Sequence, residues 1–233
     1  MSVSSYNKNL VLYQKISDEV EVLFQDNGSK EKLIEIKNSI TQLVSFILEN
    51  DFTLSSFLSI LSHEYYTHTH SLNVCVYGIC LSKELGLKEN ALEQIGLSAL
   101  LHDIGKSKIS DTILYKDSKL SNSEFKEVQR HSDYGWKILK QLGITNENIL
   151  KGVRNHHEKI DGSGYPDSLQ GNEIHLFARI IAVCDVFDAL STQKKHKDSY
   201  STFDTLHYMK LNMKTHLDIS LINQLILLLK KEV

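Results

Sequence analysis

Residues 100–106 read LLHDIGK, a leucine-rich run that closes on an adjacent histidine and aspartate and then, beyond a glycine, on a lysine. Leu92, Ile95, Ala99 and His102 fall at spacings of three and four, which predicts one helix over about 88–103 that carries His102 into the interior with the apolar stripe. Asp103 lies one position round. A buried carboxylate beside a buried imidazole is costly to desolvate unless a partner charge, a hydrogen-bond network or a metal ion offsets the cost.

The same pattern recurs along the chain. His70 continues a stripe of Val74, Tyr77 and Leu81 on a predicted helix over about 63–85, which Gly86 ends. His131 shares a predicted helical face with Phe125, Val128, Gly135 and Ile138. His156 and His157 close the segment 146–158 in HHE, and Asp185 interrupts IIAVCDVFDAL, a helix apolar nearly all round that also carries Asp188. A lone histidine on an apolar stripe is ordinarily a hydrogen-bonded core residue. Five imidazoles and two carboxylates converging from five helical segments would instead repel and desolvate one another unless divalent cations neutralised them.

Imidazole and carboxylate without thiolate suit Fe, Mn, Zn, Ni or Co and disfavour Cu(I) or an all-oxygen calcium site. Seven donors exceed the needs of one tetrahedral ion. They fit two ions about 3.5–4 Å apart, bridged by a carboxylate and a water or hydroxide. Asp103 is the natural bridge, because its neighbour His102 is already committed to one ion. His63, His68, His175, His196, His207 and His216 lack the inward context and read as surface or boundary residues.

These side chains need a helical frame, and the composition supplies one. The chain has 233 residues, 41% hydrophobic and 24% charged, which suits one large globular domain or a domain with a small appendage. A single proline and 11 glycines among runs of Leu, Ile, Lys and Glu favour helix. Residues 10–26 and 30–50 read as two antiparallel helices broken by the turn residues of QDNGSK, followed by a short segment near 53–61. Ser121 and Glu124 make a capping box ahead of the His131 helix. DGSGYPDSLQG, after HHE, is the most glycine-rich loop. The net charge of −3 gives no bulk attraction to DNA, RNA or an anionic membrane. Cys75, Cys80 and Cys184 sit in apolar segments without a C-x-x-C pair, as buried thiols in a reducing compartment do. With no long apolar run, the chain reads as cytoplasmic.

LLHDIGK, NHHEKIDGSGYP and RIIAVCDVFDAL together resemble, in order and spacing, the HD-GYP proteins, a branch of the HD phosphohydrolase superfamily; here the Gly-Tyr-Pro loop is Gly164, Tyr165 and Pro166. The resemblance runs from about residue 62 to 231. It implies an all-α HD-domain helical bundle over 62–233, with residues 1–61 as a small N-terminal helical segment of unassigned role: a dimerisation hairpin, the end of a signalling linker or a helical cap. It also implies a phosphodiesterase that hydrolyses cyclic di-GMP to pGpG, or to GMP after a second cut, through a hydroxide bridging two divalent ions, with Fe or Mn favoured. The family's metal ligands fall on His70, His102, Asp103, His131, His156, His157 and Asp185, the residues already collected by the inward-face argument.

Lys106 falls on the family's lysine, placed to hold a non-bridging phosphate oxygen. Tyr165 either contacts guanine or plugs the core at the pocket edge. Where the family has an Arg-Pro-Tyr-Arg-like segment that holds the second phosphate, this chain reads STQKKHK, so Lys194 and Lys197 take the basic positions without guanidinium geometry. Where some members place a glutamate that helps to hold a third ion, this chain has Tyr66, so two ions and slow turnover to pGpG are expected. The loop also implies diguanylate cyclase domains as protein partners, beside a homodimer partner. Alternatives are an HD hydrolase for another nucleotide, and a catalytically weak metal-binding module that senses cyclic di-GMP or a protein.

Overall fold

The computed structural model describes residues 3–25, 29–49, 67–192 and 201–230, with side chains from residue 11 in the first stretch and from residue 69 in the third. Tyr66, Lys194, Lys197, His63, His196 and the segment 53–61 lie outside the described residues, as does the side chain of His68. Among the described residues the regular structure is helical, and the one β-type contact is an isolated antiparallel bridge between Asp161 and Gln170.

The helices are α1 (Val3–Gln25), α2 (Lys30–Glu49), α3 (Thr67–Glu84), α4 (Glu89–Leu100), a 3-10 turn η1 (Ile104–Lys108), α5 (Asp111–Leu114), α6 (Asn122–Gln129), α7 (His131–Gln141), α8 (Glu147–Asn155), a second 3-10 turn (Gly171–Glu173), α9 (Leu176–Ser191), α10 (Thr202–Asn212) and α11 (Ile219–Lys230). Helix α3 is central: residues 69–82 are all buried, and α1, α4, α9 and α11 pack round it. It ends where Gly86 takes φ 79°, a left-handed conformation that lets the Leu87 N–H reach back to the Ser82 carbonyl. Helix α8 bridges α4, α7 and α9, and η1 lies along α7. The interior face of α2, with Leu33, Ile36, Ile40, Leu43 and Ile47, joins the same hydrophobic cluster as α3, α4 and α9.

Two expectations are corrected. The predicted helix over 88–103 stops at Leu100, and His102 and Asp103 lie in the turn that leads into η1. Residues 95–105 are buried on every side, so the apolar stripe alone did not reveal that the helix had ended. The predicted helix through Phe125 and His131 is two helices meeting at Arg130, and Phe125 is 51% exposed and faces out. The Ser121–Glu124 capping box that starts α6 is present, with the Glu124 N–H donating to Ser121 Oγ at 3.3 Å and the Ser121 N–H to Glu124 Oε2 at 2.7 Å. Cys75, Cys80 and Cys184 are buried free thiols. No described helix is long and apolar enough to cross a membrane.

Candidate metal centre

Three of the five histidines are placed by one local device. His102, His131 and His156 each lie one or two residues beyond a helix end, and each ring Nδ1 meets a carbonyl in that helix's last turn: Ala99 at 2.7 Å, Val128 at 2.6 Å and Val153 at 2.7 Å. A last-turn carbonyl lacks the i+4 N–H partner of a helix interior, and here each accepts the Nδ1–H of the histidine beyond it. The geometry assigns the proton to Nδ1 and turns each Nε2 lone pair to a common centre. The C-terminal ends of α4, α6 and α8 therefore converge there, and their partial negative charge favours a cation.

The seven predicted donors come together in two groups. Asp103, His131, His156 and His157 form one, and His70, His102 and Asp185 the other; within each, one donor atom per residue lies within 4.8 Å of the rest. Asp103 stands between the groups. Its Oδ2 is 3.2 Å from His102 Nε2 and its Oδ1 is 3.4 Å from His131 Nε2. His70 reaches in from α3, with Nε2 3.1 Å from Asp185 Oδ1 and Nδ1 2.7 Å from Asp188 Oδ2. His156 and His157 pack with ring centroids 4.1 Å apart.

This donor set fits divalent ions. The Nε2 atoms of His131 and His156 face each other at 3.3 Å while both Nδ1 atoms are committed to carbonyls, so two lone pairs oppose unless a cation lies between them. His102 Nε2 and Asp103 Oδ1 are buried without a hydrogen-bond partner, a cost that native interiors avoid when nothing else binds there. Burial, with neighbouring imidazoles, holds His156 and His131 below the ordinary histidine range and His157 down at about 3, so they stand as neutral donors. His70 goes the other way. Burial lowers it, but hydrogen bonds to Asp185 and Asp188 prevail and raise it to about 9.

Lys106 sits at the rim with its side chain 24% exposed, and its Nζ is 2.5 Å from Asp103 Oδ2. Burial works against its charge, but Asp103 more than compensates and raises its pKa, so Lys106 is cationic. Tyr165 lies against His157, ring centroids 4.8 Å apart, and its N–H donates to the His157 carbonyl at 3.3 Å. Its loop is anchored from beneath: buried Glu158 accepts the N–H groups of Asp167 at 2.6 Å and Leu169 at 3.1 Å, and Arg154 makes a two-pronged contact with Asp167.

Sequence reading missed Asp188, Asn73, Tyr13 and Glu158 as supports of the site. Asp188, visible in the sequence only as a polar residue on an apolar helix, and Asn73 each sit three residues after a donor on the same buried helix, so the cost of a buried polar group points to a supporting role for both. Tyr13 carried no such signal.

Residues 57–221 match the family model described as HD domain, and the chain belongs to that family. It is similar to a cyclic di-GMP phosphodiesterase of Pseudomonas aeruginosa, 34% identical over 73% of this chain and 41% of that protein. It is also similar to a 3'3'-cGAMP-specific phosphodiesterase of Vibrio cholerae, 37% identical over 66% of this chain and 33% of that protein. The chain thus spans less than half the length of these relatives. An HDG"Y"P protein of Bdellovibrio bacteriovorus shares the fold, with a TM-score of 0.76 at 18% identity, covering 94% of this chain and 71% of that one.

Proposed function

We propose that this chain is a metal-dependent cyclic dinucleotide phosphodiesterase, with cyclic di-GMP as substrate and pGpG as main product. The observation that carries the reading is the pair of opposed Nε2 atoms of His131 and His156, with Asp103 offering one oxygen to each donor group. His70, His102 and Asp185 would hold one ion, His131, His156 and His157 a second, and Asp103 both; Fe or Mn suits the donors best. When bound, such ions polarise phosphoryl oxygens and make water nucleophilic near neutral pH.

The protein's own groups do the rest. Lys106, held cationic by Asp103 at the rim, donates to a non-bridging phosphate oxygen and stabilises the charge that develops as the 3' oxygen leaves. Tyr165, backed by His157, lies beside the donor groups and offers its outer face or hydroxyl to a base. Lys194 and Lys197 attract the second phosphate. Residues 62–233 form the catalytic domain, residues 1–61 a helical extension, and the Gly-Tyr-Pro loop a surface for diguanylate cyclase domains or a second copy. The V. cholerae relative supports a second substrate, 3'3'-cGAMP.

The test is anaerobic purification with metal quantification, followed on the same sample by hydrolysis assays with cyclic di-GMP and 3'3'-cGAMP. Two ions per chain and release of pGpG are expected, with Asp103→Ala losing both metal and turnover. Near-normal turnover in fully metallated Asp103→Ala protein would refute the mechanism, and faster cleavage of 3'3'-cGAMP would exchange the substrate.

A further inference from the structure

We propose that Tyr13, on the N-terminal helix α1, is a positioning residue for the metal centre, acting through a buried hydrogen-bond relay that ends on His70. Tyr13 precedes the family match, which begins at residue 57, and the inference rests on the metal-centre reading above. The Tyr13 hydroxyl donates to Asn73 Oδ1 at 2.9 Å, and Asn73 Nδ2 donates to Asp188 Oδ1 at 2.9 Å. Asp188 Oδ2 accepts from His70 Nδ1 at 2.7 Å, and Thr192 Oγ1 donates to Asp188 Oδ1 at 3.2 Å. Every member of the relay from Tyr13 to His70 is buried, and Asp188 is 0% exposed.

Chemistry fixes the direction of this relay. A carboxylate only accepts, so Asn73 must turn its NH₂ to Asp188 and leave its carbonyl oxygen pointing towards α1. That buried oxygen needs a donor, and the Tyr13 hydroxyl supplies one across 60 residues of sequence. With Asn73 held, Asp188 is aligned to take the Nδ1–H of His70, so that the proton lost on binding an ion is the one on Nε2, and Nε2 turns its lone pair to the site. Carboxylate–imidazole pairs of this kind set the tautomer and ring orientation of a metal ligand. Phenylalanine at 13 preserves the packing of the ring and removes only the donor, so Asn73 loses the contact that opposes its rotation, and His70 loses part of its alignment.

The experiment measures Mn²⁺ affinity of the full chain by calorimetry, starting from metal-free protein, for the parent, Tyr13→Phe, Asp188→Asn and the double variant, with a melting curve of each metal-free protein. Asp188→Asn is expected to weaken Mn²⁺ binding about 10–100-fold, and Tyr13→Phe, one relay step further out, about three- to tenfold. The double variant should bind no more weakly than Asp188→Asn, because the two residues act in series. Unchanged affinity in Tyr13→Phe, with or without a lower melting temperature, would overturn the proposal by leaving Tyr13 a merely structural role. Effects that multiply fully in the double variant would overturn it too, since Tyr13 would then act independently of Asp188. A parent chain that binds no Mn²⁺ would instead overturn the metal-centre reading, and this inference with it.

Discussion

Gly105 stands at the closest approach between the turn that carries Asp103 and the helix that carries His131, and adding one methyl group there should open the centre. A Cβ at 105 would overlap the carbonyl oxygen of His131 and come within 2.5 Å of Gly135 N and 2.8 Å of the His131 carbonyl carbon. These are backbone atoms at the start of α7, so no side chain can swing aside. Restoring an ordinary contact of about 3.5 Å to that carbonyl oxygen requires η1 and α7 to separate by about 1.5 Å. Asp103 Oδ1 and His131 Nε2 are now 3.4 Å apart. The separation would carry them towards about 5 Å, past the span of about 4.4 Å that two donors on one ion at about 2.0–2.2 Å each can reach. Overpacking of this kind costs about 1–3 kcal/mol of stability, and a misplacement of about 1 Å can cost about 100-fold in rate. Gly105→Ala should therefore keep its helical circular dichroism, bind less than the parent's metal, and hydrolyse cyclic di-GMP about 100-fold more slowly. A variant with the parent's metal content, melting temperature and turnover would refute the view that backbone contact sets the spacing of Asp103 and His131.

Three further outcomes are expected. Lys106→Ala should retain its metal and lose about 10²–10³ in rate, as removal of a transition-state donor does; a variant that lost metal but kept its rate per occupied site would reassign Lys106 to metal binding. Glu158→Ala leaves the N–H groups of Asp167 and Leu169 without their acceptor, so it should cost about 1.5–3 kcal/mol in urea unfolding and raise KM with metal content intact, whereas unchanged KM would separate the loop from the substrate. His70, raised to about 9 in the metal-free chain, is an imidazolium at pH 7 and must lose a proton to bind an ion. Its contribution to metal-free stability is complete below about pH 6.5 and fades as pH rises through about 9. Calorimetry of Mn²⁺ binding at pH 7 in buffers of different ionisation enthalpy should report proton release, and a buffer-independent heat would contradict the paired state of His70.

The sequence determined the chemistry of this centre and little of its geometry. Imidazoles and carboxylates on apolar runs are costly to bury, and that cost is readable residue by residue, which is why His70, His102, Asp103, His131, His156, His157 and Asp185 could be collected before any fold was known. The capping box at Ser121 and the helix stop at Gly86 were equally legible, because both are local backbone chemistry. The tertiary structure decided where the helices end. Periodicity carried His102 and His131 along continuous helices, whereas both lie just past a helix end, with Nδ1 on a last-turn carbonyl; around His102 a segment buried on all sides gives no periodic sign of its end, and at His131 a second helix begins at once. Only the fold also decided how the other donors divide into two groups about Asp103, and that Asp188, Asn73 and Tyr13 stand behind His70. The contacts behind His70 join residues 60 to 118 positions apart, and no local rule links a tyrosine on one helix to an asparagine on another until packing against α3 brings them within 2.9 Å.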